Sequence, residues 1–273
     1  MIRNPYHITG PALLSISGGR TSGFMLRQII DAHGGTLPAD VIPVFCNTGL
    51  EHEATLIFLR EMSEQWSCPI VWLEYRRVDN RNTFAVVDFC GASRRGEPFA
   101  ALIESRSYPP NPRVRFCTVE LKIRTGNRYA KSLGWKEFDR AVGLRYDEPR
   151  RVARLKGDNA NENARCPIAD AKHTLDDVLA FWKLQPFDLM LPGGNNTFGN
   201  CDMCFLKGRA KIETIMLTNP ERAAWWIEQE KKLGKTFRID RPSYATMLTQ
   251  ISVEGRMFDD AIEDETPECQ CTE

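Results

Sequence analysis

At 273 residues, with 42% hydrophobic and 26% charged side chains, the chain has the composition of an ordinary globular protein and can bury a sizeable core as one large domain or one domain plus an appendage. Its 36 basic and 36 acidic residues cancel, which excludes a global field drawing it to nucleic acid and favours a small substrate, local basic patches apart. No apolar run is long enough to span a bilayer and the start lacks the apolar stretch of a secretory signal, so the expectation is a cytosolic protein without a membrane partner. In that setting nine cysteines point to metal ligation or redox chemistry rather than disulfides.

Taken in chain order, the apolar run 12–16 predicts a strand that stops at Gly18-Gly19, and Phe24, Met25, Leu26, Ile29 and Ile30 then recur at helical spacing. A second strand is expected over 41–45, a helix over 52–65 and a third strand over 70–75. Alternating elements with near-continuous apolar strands predict a parallel sheet covered on both faces. Residues 76–116 are rich in Arg, Pro and Gly and are expected to be irregular, lying over the sheet. A helix over 118–133, a strand over 139–143 and a helix over 174–183 capped by Thr174 and Asp177 follow, then two helices split at Asn219-Pro220. The acidic tail from Asp259 is expected to be loosely ordered. The domain boundary is placed at 165/166, separating an α/β nucleotide-binding part from a mainly helical C-terminal part that carries the cysteines and the tail.

Ser17-Gly18-Gly19-Arg20-Thr21-Ser22 joins a strand to a helix, where outward N–H groups, the helix dipole and three hydroxyls suit an anion. Asn47-Thr48-Gly49, with Glu51 beyond it, follows the second strand in the equivalent place, so two polar turns are expected to face one crevice. Arg145 is positioned to clamp a phosphate or sulfate by paired hydrogen bonds. Cys201-Asp202-Met203-Cys204 lies in a glycine-rich approach, a spacing that lets two thiolates converge on one metal. Cys46, Cys68 and Cys90 read as packing residues, and the four histidines have no metal-ligand spacing.

These motifs, in this order, resemble the PP-loop ATP pyrophosphatase superfamily and, within it, the phosphoadenosine phosphosulfate (PAPS) reductase family. The turn is similar to the superfamily's S-G-G-x-D-S, with Thr21 in place of aspartate; Asn47-Thr48-Gly49 is similar to a D-T-G, with Asn47 in place of aspartate. Gly143-Leu144-Arg145-Tyr146-Asp147-Glu148 resembles a G-x-R-x-x-E stretch, and Cys166-Pro167-Ile168-Ala169-Asp170 a P-L-x-D stretch. The resemblance implies a Rossmann-like fold of the adenine nucleotide alpha hydrolase type, with ATP or an adenylyl sulfate bound by Ser17, Gly18, Gly19, Arg20, Thr21, Ser22, Asn47, Thr48, Gly49, Glu51 and Arg145. Cys117, in a segment similar to the C-C-x-x-x-K of the cluster-containing adenosine phosphosulfate reductases, would join Cys201 and Cys204 around a [4Fe–4S] cluster, with zinc as the alternative. Glu268-Cys269 resembles the reductases' E-C-G-x-H tail, so Cys269 and Cys271 are candidate nucleophiles or further ligands. The implied activity is reduction of an adenylyl sulfate with a thiol such as thioredoxin. The alternatives are thiolation of a tRNA or DNA base, and a non-catalytic nucleotide-binding or zinc-stabilised partner subunit.

Overall fold

The computed structural model describes residues 4–158 and 163–254. Strands β1 (Ala12–Ser15), β2 (Val41–Asn47), β3 (Val71–Val78), β4 (Arg81–Val87), β5 (Asp139–Val142) and β6 (Asn163–Arg165) form one sheet of order β4-β3-β2-β1-β5-β6. All neighbours are parallel except β3 and β4, which pair antiparallel from Trp72↔Val87 to Val78↔Arg81. The expected α/β fold is therefore present, with an antiparallel edge strand that the sequence reading left in an irregular region. Arg76, Arg77 and Arg81 hid this hairpin, because exposed edge positions tolerate charge and blur the apolar pattern.

The central strands bury both faces, as their continuous apolar runs require. Ala12 and Leu14 of β1 and Val41 and Phe45 of β2 join the main core against helices α1 (Arg20–Ala32) and α2 (Glu53–Gln65), while Leu13 and Val44 face Ala130 on the other side. Ala130 belongs to α4 (Thr125–Ser132), which continues a π-helical segment, Thr118–Arg124. The main core runs from Tyr6 to Met247, so it includes residues of both halves of the chain.

The irregular region also contains α3 (Glu97–Arg106), with Pro98 in its first turn where a missing N–H costs nothing. Helices α5 (Pro149–Asp158) and α6 (Pro167–Asp170) flank β6. Helix α7 (Leu175–Lys183) starts at the expected capping box of Thr174 and Asp177. Three helices, not two, follow in the described C-terminal residues: α8 (Arg209–Thr218), α9 (Ala223–Leu233) and α10 (Tyr244–Glu254). No helix among the described residues is long and apolar enough to cross a membrane.

The strand order fixes where a ligand can sit. From β1 the chain moves to β2 and β3 on one side, then returns to place β5 on the other, so the carboxyl ends of β1 and β5 diverge into a crevice. The loop from β1 to α1 and the segment after β5 both open there.

Candidate functional site

Gly18 has φ +79°, a left-handed conformation that lets the chain reverse from β1 into α1. A Cβ there would also lie 2.4 Å from Thr55 Cγ2, so the turn is held tightly against α2. Gly19 caps α1 in extended conformation without a side-chain bond, and its own Cβ position is open apart from Ser17 Oγ at 3.5 Å. Ser22 Oγ donates to Gly19 O (2.9 Å) and accepts from Ser17 N (3.1 Å), and the Ser17 and Ser22 hydroxyls lie 3.0 Å apart. These bonds fix the loop, and the first-turn N–H groups of α1 face the crevice as a helix N-terminus must.

Arg145 follows β5 and is only 8% exposed. Its Nη1 lies 3.4 Å from Thr21 Oγ1, while Nε donates to Asp147 at 3.0 Å. Gly143 sits against the start of α1, where an added Cβ would be 3.2 Å from Ser22 Cα. The fold thus brings the glycine turn and Arg145 to one place. Arg20 is also tied down: its guanidinium forms a paired bridge to Asp188 (2.7 and 2.9 Å) and donates to Leu189 O, as Arg145 pairs with Asp147 and Glu148. The same region seats Trp182 of α7, whose Nε1 donates to Arg20 O at 2.8 Å.

Beside the turn, a cleft is lined by Ser15, Ile16 and Ser17 from β1 and its loop, Phe45 and Cys46 from β2, and Ile123 from the π-helix. Apolar walls next to an anion-binding turn are the arrangement that an adenosine moiety needs. Lys122 and Arg140 add positive charge at the cleft. Arg140 is held by Ile123 O, Ser15 Oγ and Asn127. Burial pushes the Cys46 thiol up to about 11, against the pull of Arg140 and Lys122, so it is neutral and unreactive near neutral pH.

The second turn is built for structure as much as for binding. Asn47 donates to Glu74 Oε1 (2.6 Å) and Ser93 O (2.9 Å) and accepts from Gly49 N (3.1 Å), which commits its amide internally. Gly49 has φ +80°, and its Cβ position would be 2.9 Å from Gly96 N, so only glycine fits this backbone approach. Glu51 accepts from Thr48 Oγ1 (2.8 Å), Thr48 N (3.1 Å) and Leu50 N (3.2 Å). Burial raises its pKa, opposed by Lys122 and by the Thr48 hydrogen bonds.

Cys201 pairs across an isolated bridge with Glu51, and its Sγ lies 3.4 Å from Thr48 Oγ1. The Cys201–Cys204 turn is braced from all sides. Asp202 accepts from Arg222 Nη1 at 2.6 Å, its N–H donates to Leu50 O, and the buried Lys207 ammonium bonds to Thr197 O and Asp202 O. Cys201 and Cys204 are 5% and 3% exposed, and Cys117 is 9% exposed beside the π-helix. No group of three or more His, Cys, Asp and Glu able to hold a metal ion occurs among the described residues. Cys117, Cys201 and Cys204, the expected ligands of a [4Fe–4S] cluster or of zinc, are thus each buried, Cys201 and Cys204 within one turn around the fully buried Met203. Cys269 and Cys271, the candidate nucleophiles, lie outside the described residues.

Of three carboxylates that matter to the site, two carry no local sequence signal. Glu74, fully buried, accepts from Asn47, Ser93 and Arg76. Asp188 holds Arg20 from 168 positions away, and Glu120 gathers Arg106, Arg124 and Arg128. Only Glu120 had a visible hint, the Arg124 spaced i,i+4 from it.

No protein-family model matches the chain. The uncharacterized nin region protein ORF290 of Escherichia phage lambda is 30% identical over 206 residues, covering 73% of this chain and 67% of the relative. An uncharacterized 37.8 kDa protein in the gpa 5′ region of Escherichia phage 186 is 24% identical over 264 residues, covering 83% and 76%. Among solved structures, the U34-tRNA thiolase NcsA from Methanococcus maripaludis with its [4Fe–4S] cluster matches at TM-score 0.38 and 16% identity, over 82% of this chain and 72% of that one. The identity and coverage shared with the lambda protein show that this chain belongs to the family of the phage lambda nin region protein ORF290.

Proposed function

We propose that the chain binds an adenine nucleotide across the β1/β5 switch point and uses it in sulfur chemistry. The observation that carries this reading is the meeting of the glycine turn, the α1 N-terminus and the Arg145 guanidinium beside an apolar cleft. Phosphates would lie on residues 17–22 with Arg145 neutralising charge, and adenosine would fill the cleft between Phe45 and Ile123. The order of motifs that resembles the PP-loop superfamily supports the nucleotide and the sulfur.

The favoured reaction is ATP-dependent sulfur transfer. A carbonyl oxygen of the acceptor attacks the α-phosphorus of ATP, the bond to pyrophosphate breaks, and pyrophosphate leaves while the turn and Arg145 hold its charge. A sulfide donor then attacks the adenylated carbon, AMP departs, and loss of a proton leaves the thiocarbonyl. Cys46, the neutral thiol in the cleft, is a wall residue in either reaction. Reduction of an adenylyl sulfate is the second reading, favoured by Glu268-Cys269 in the sequence. There a tail thiolate attacks sulfur, the adenosine phosphate leaves, and thioredoxin or another thiol releases sulfite.

Incubation of the full chain with ATP, PAPS or adenosine phosphosulfate separates these readings. Formation of AMP and pyrophosphate from ATP that depends on an added acceptor and sulfur donor is expected. Sulfite release with thioredoxin would move the assignment to reduction, and failure to bind any of the three nucleotides would remove both.

A further inference from the structure

The π-helical segment Thr118–Arg124 has two working faces. Lys122 and Ile123 look into the nucleotide cleft, while Thr118, Glu120 and Arg124 line a second groove that shares Ile123 with it. Arg106, Arg113, Arg115, Arg124 and Arg154 border that groove, and Glu120 is the sole carboxylate among the described residues that line it. Glu120 is 1% exposed and binds Arg106 (2.9 Å), Arg124 (2.6 Å) and Arg128 (2.9 Å), so one buried negative charge positions three guanidiniums. Its bonds hold Arg106, Arg124 and Arg128 in fixed directions, three positive charges around one negative. Burial alone would raise the Glu120 pKa, but the Arg128 and Arg124 guanidiniums overcome this and hold it below the ordinary range.

Val114 and Val119 supply apolar surface in the same groove and are 46% and 38% exposed. Asn82 of the β3–β4 hairpin reaches Glu120 at 3.5 Å, which joins the basic edge containing Arg77 and Arg81 to this face. The chain as a whole carries no net charge, so an arginine groove of this kind is a local concentration rather than a by-product of composition.

We infer that this groove binds the sugar–phosphate backbone of a single nucleic-acid strand and delivers one of its bases to the adjoining nucleotide cleft. Guanidiniums gathered on a common carboxylate present their outer N–H groups to phosphate oxygens, and exposed valines beside them accept base or sugar faces. The inference rests on the nucleotide-site reading for the chemistry at the cleft, but strand binding itself is independent of it.

The test measures fluorescence anisotropy of a labelled 20-nucleotide strand, as DNA and as RNA, with the full chain, alongside binding of a fluorescent ATP analogue. Strand affinity is expected to fall about twentyfold between 50 and 200 mM salt, as displacement of counterions from roughly three phosphates requires. The exposed double variant Arg113→Glu/Arg154→Glu should weaken strand binding at least about tenfold while the ATP analogue binds as before; circular dichroism checks that the variant is folded. A milder Arg113→Gln variant keeps the test usable if the double variant misfolds. Unchanged strand affinity in a folded variant, or no strand binding at 50 mM salt by protein that binds the analogue, would overturn the groove. Loss of analogue binding with strand binding intact would instead strike at the nucleotide site.

Discussion

The roles of Gly18 and Gly19 differ although they are neighbours. Gly18 needs positive φ and has Thr55 Cγ2 where a side chain would go, so Gly18→Val should destabilise the fold and report little about ligands. Gly19 has extended backbone and free space, so a branched side chain there occupies the anion's place without strain. Arg145→Ala should weaken binding of ATP by about 1.5–3 kcal/mol, the worth of a hydrogen bond to a charged group. Isothermal titration against ATP checks this, and an unaltered dissociation constant would exclude Arg145 from the site. Arg20 should contribute less than its position in the motif implies, because a ligand must compete with Asp188 for it.

At the scale of elements, the π-helix is held in register by Glu120, and this has a pH signature. Because the folded-state pKa of Glu120 is depressed, its contribution is present above the ordinary glutamate value of 4.5 and is lost as pH falls through the depressed value. Glu120→Gln should cost about 3 kcal/mol at pH 7, as removing one partner of a buried ion pair does, and the deficit should shrink below pH 4.5. Urea denaturation of both proteins across pH 3–7 measures it, and a pH-independent difference would assign the loss to packing. Local elements were readable in advance where the signal is local: the glycine turn, the capped α7 and the apolar central strands. The β3–β4 hairpin and α3 were not, because edge strands and short helices take their stability from neighbours distant in sequence. The buried setting of the C-x-x-C turn was not readable either, since it depends on Arg222, which bridges to Asp202 from 20 positions away.

At the scale of the molecule, the switch point was legible once strands and helices were seen to alternate, because the crevice follows from topology alone. What escaped the sequence is the set of long-range ties that make the crevice a site: Arg20 to Asp188, Asn47 to Glu74 and Cys201 to Thr48. The first and last of these bind the C-terminal residues to the crevice face, so occupancy by a ligand should be felt by the whole fold. The central claim, that α1's N-terminus receives the phosphates of an adenine nucleotide, is tested most directly by titrating ATP into the native chain and into Gly19→Val, each checked by thermal melting for an intact fold. Saturable binding to the native protein and none to an equally stable variant is predicted; equal affinity in the two would contradict the account.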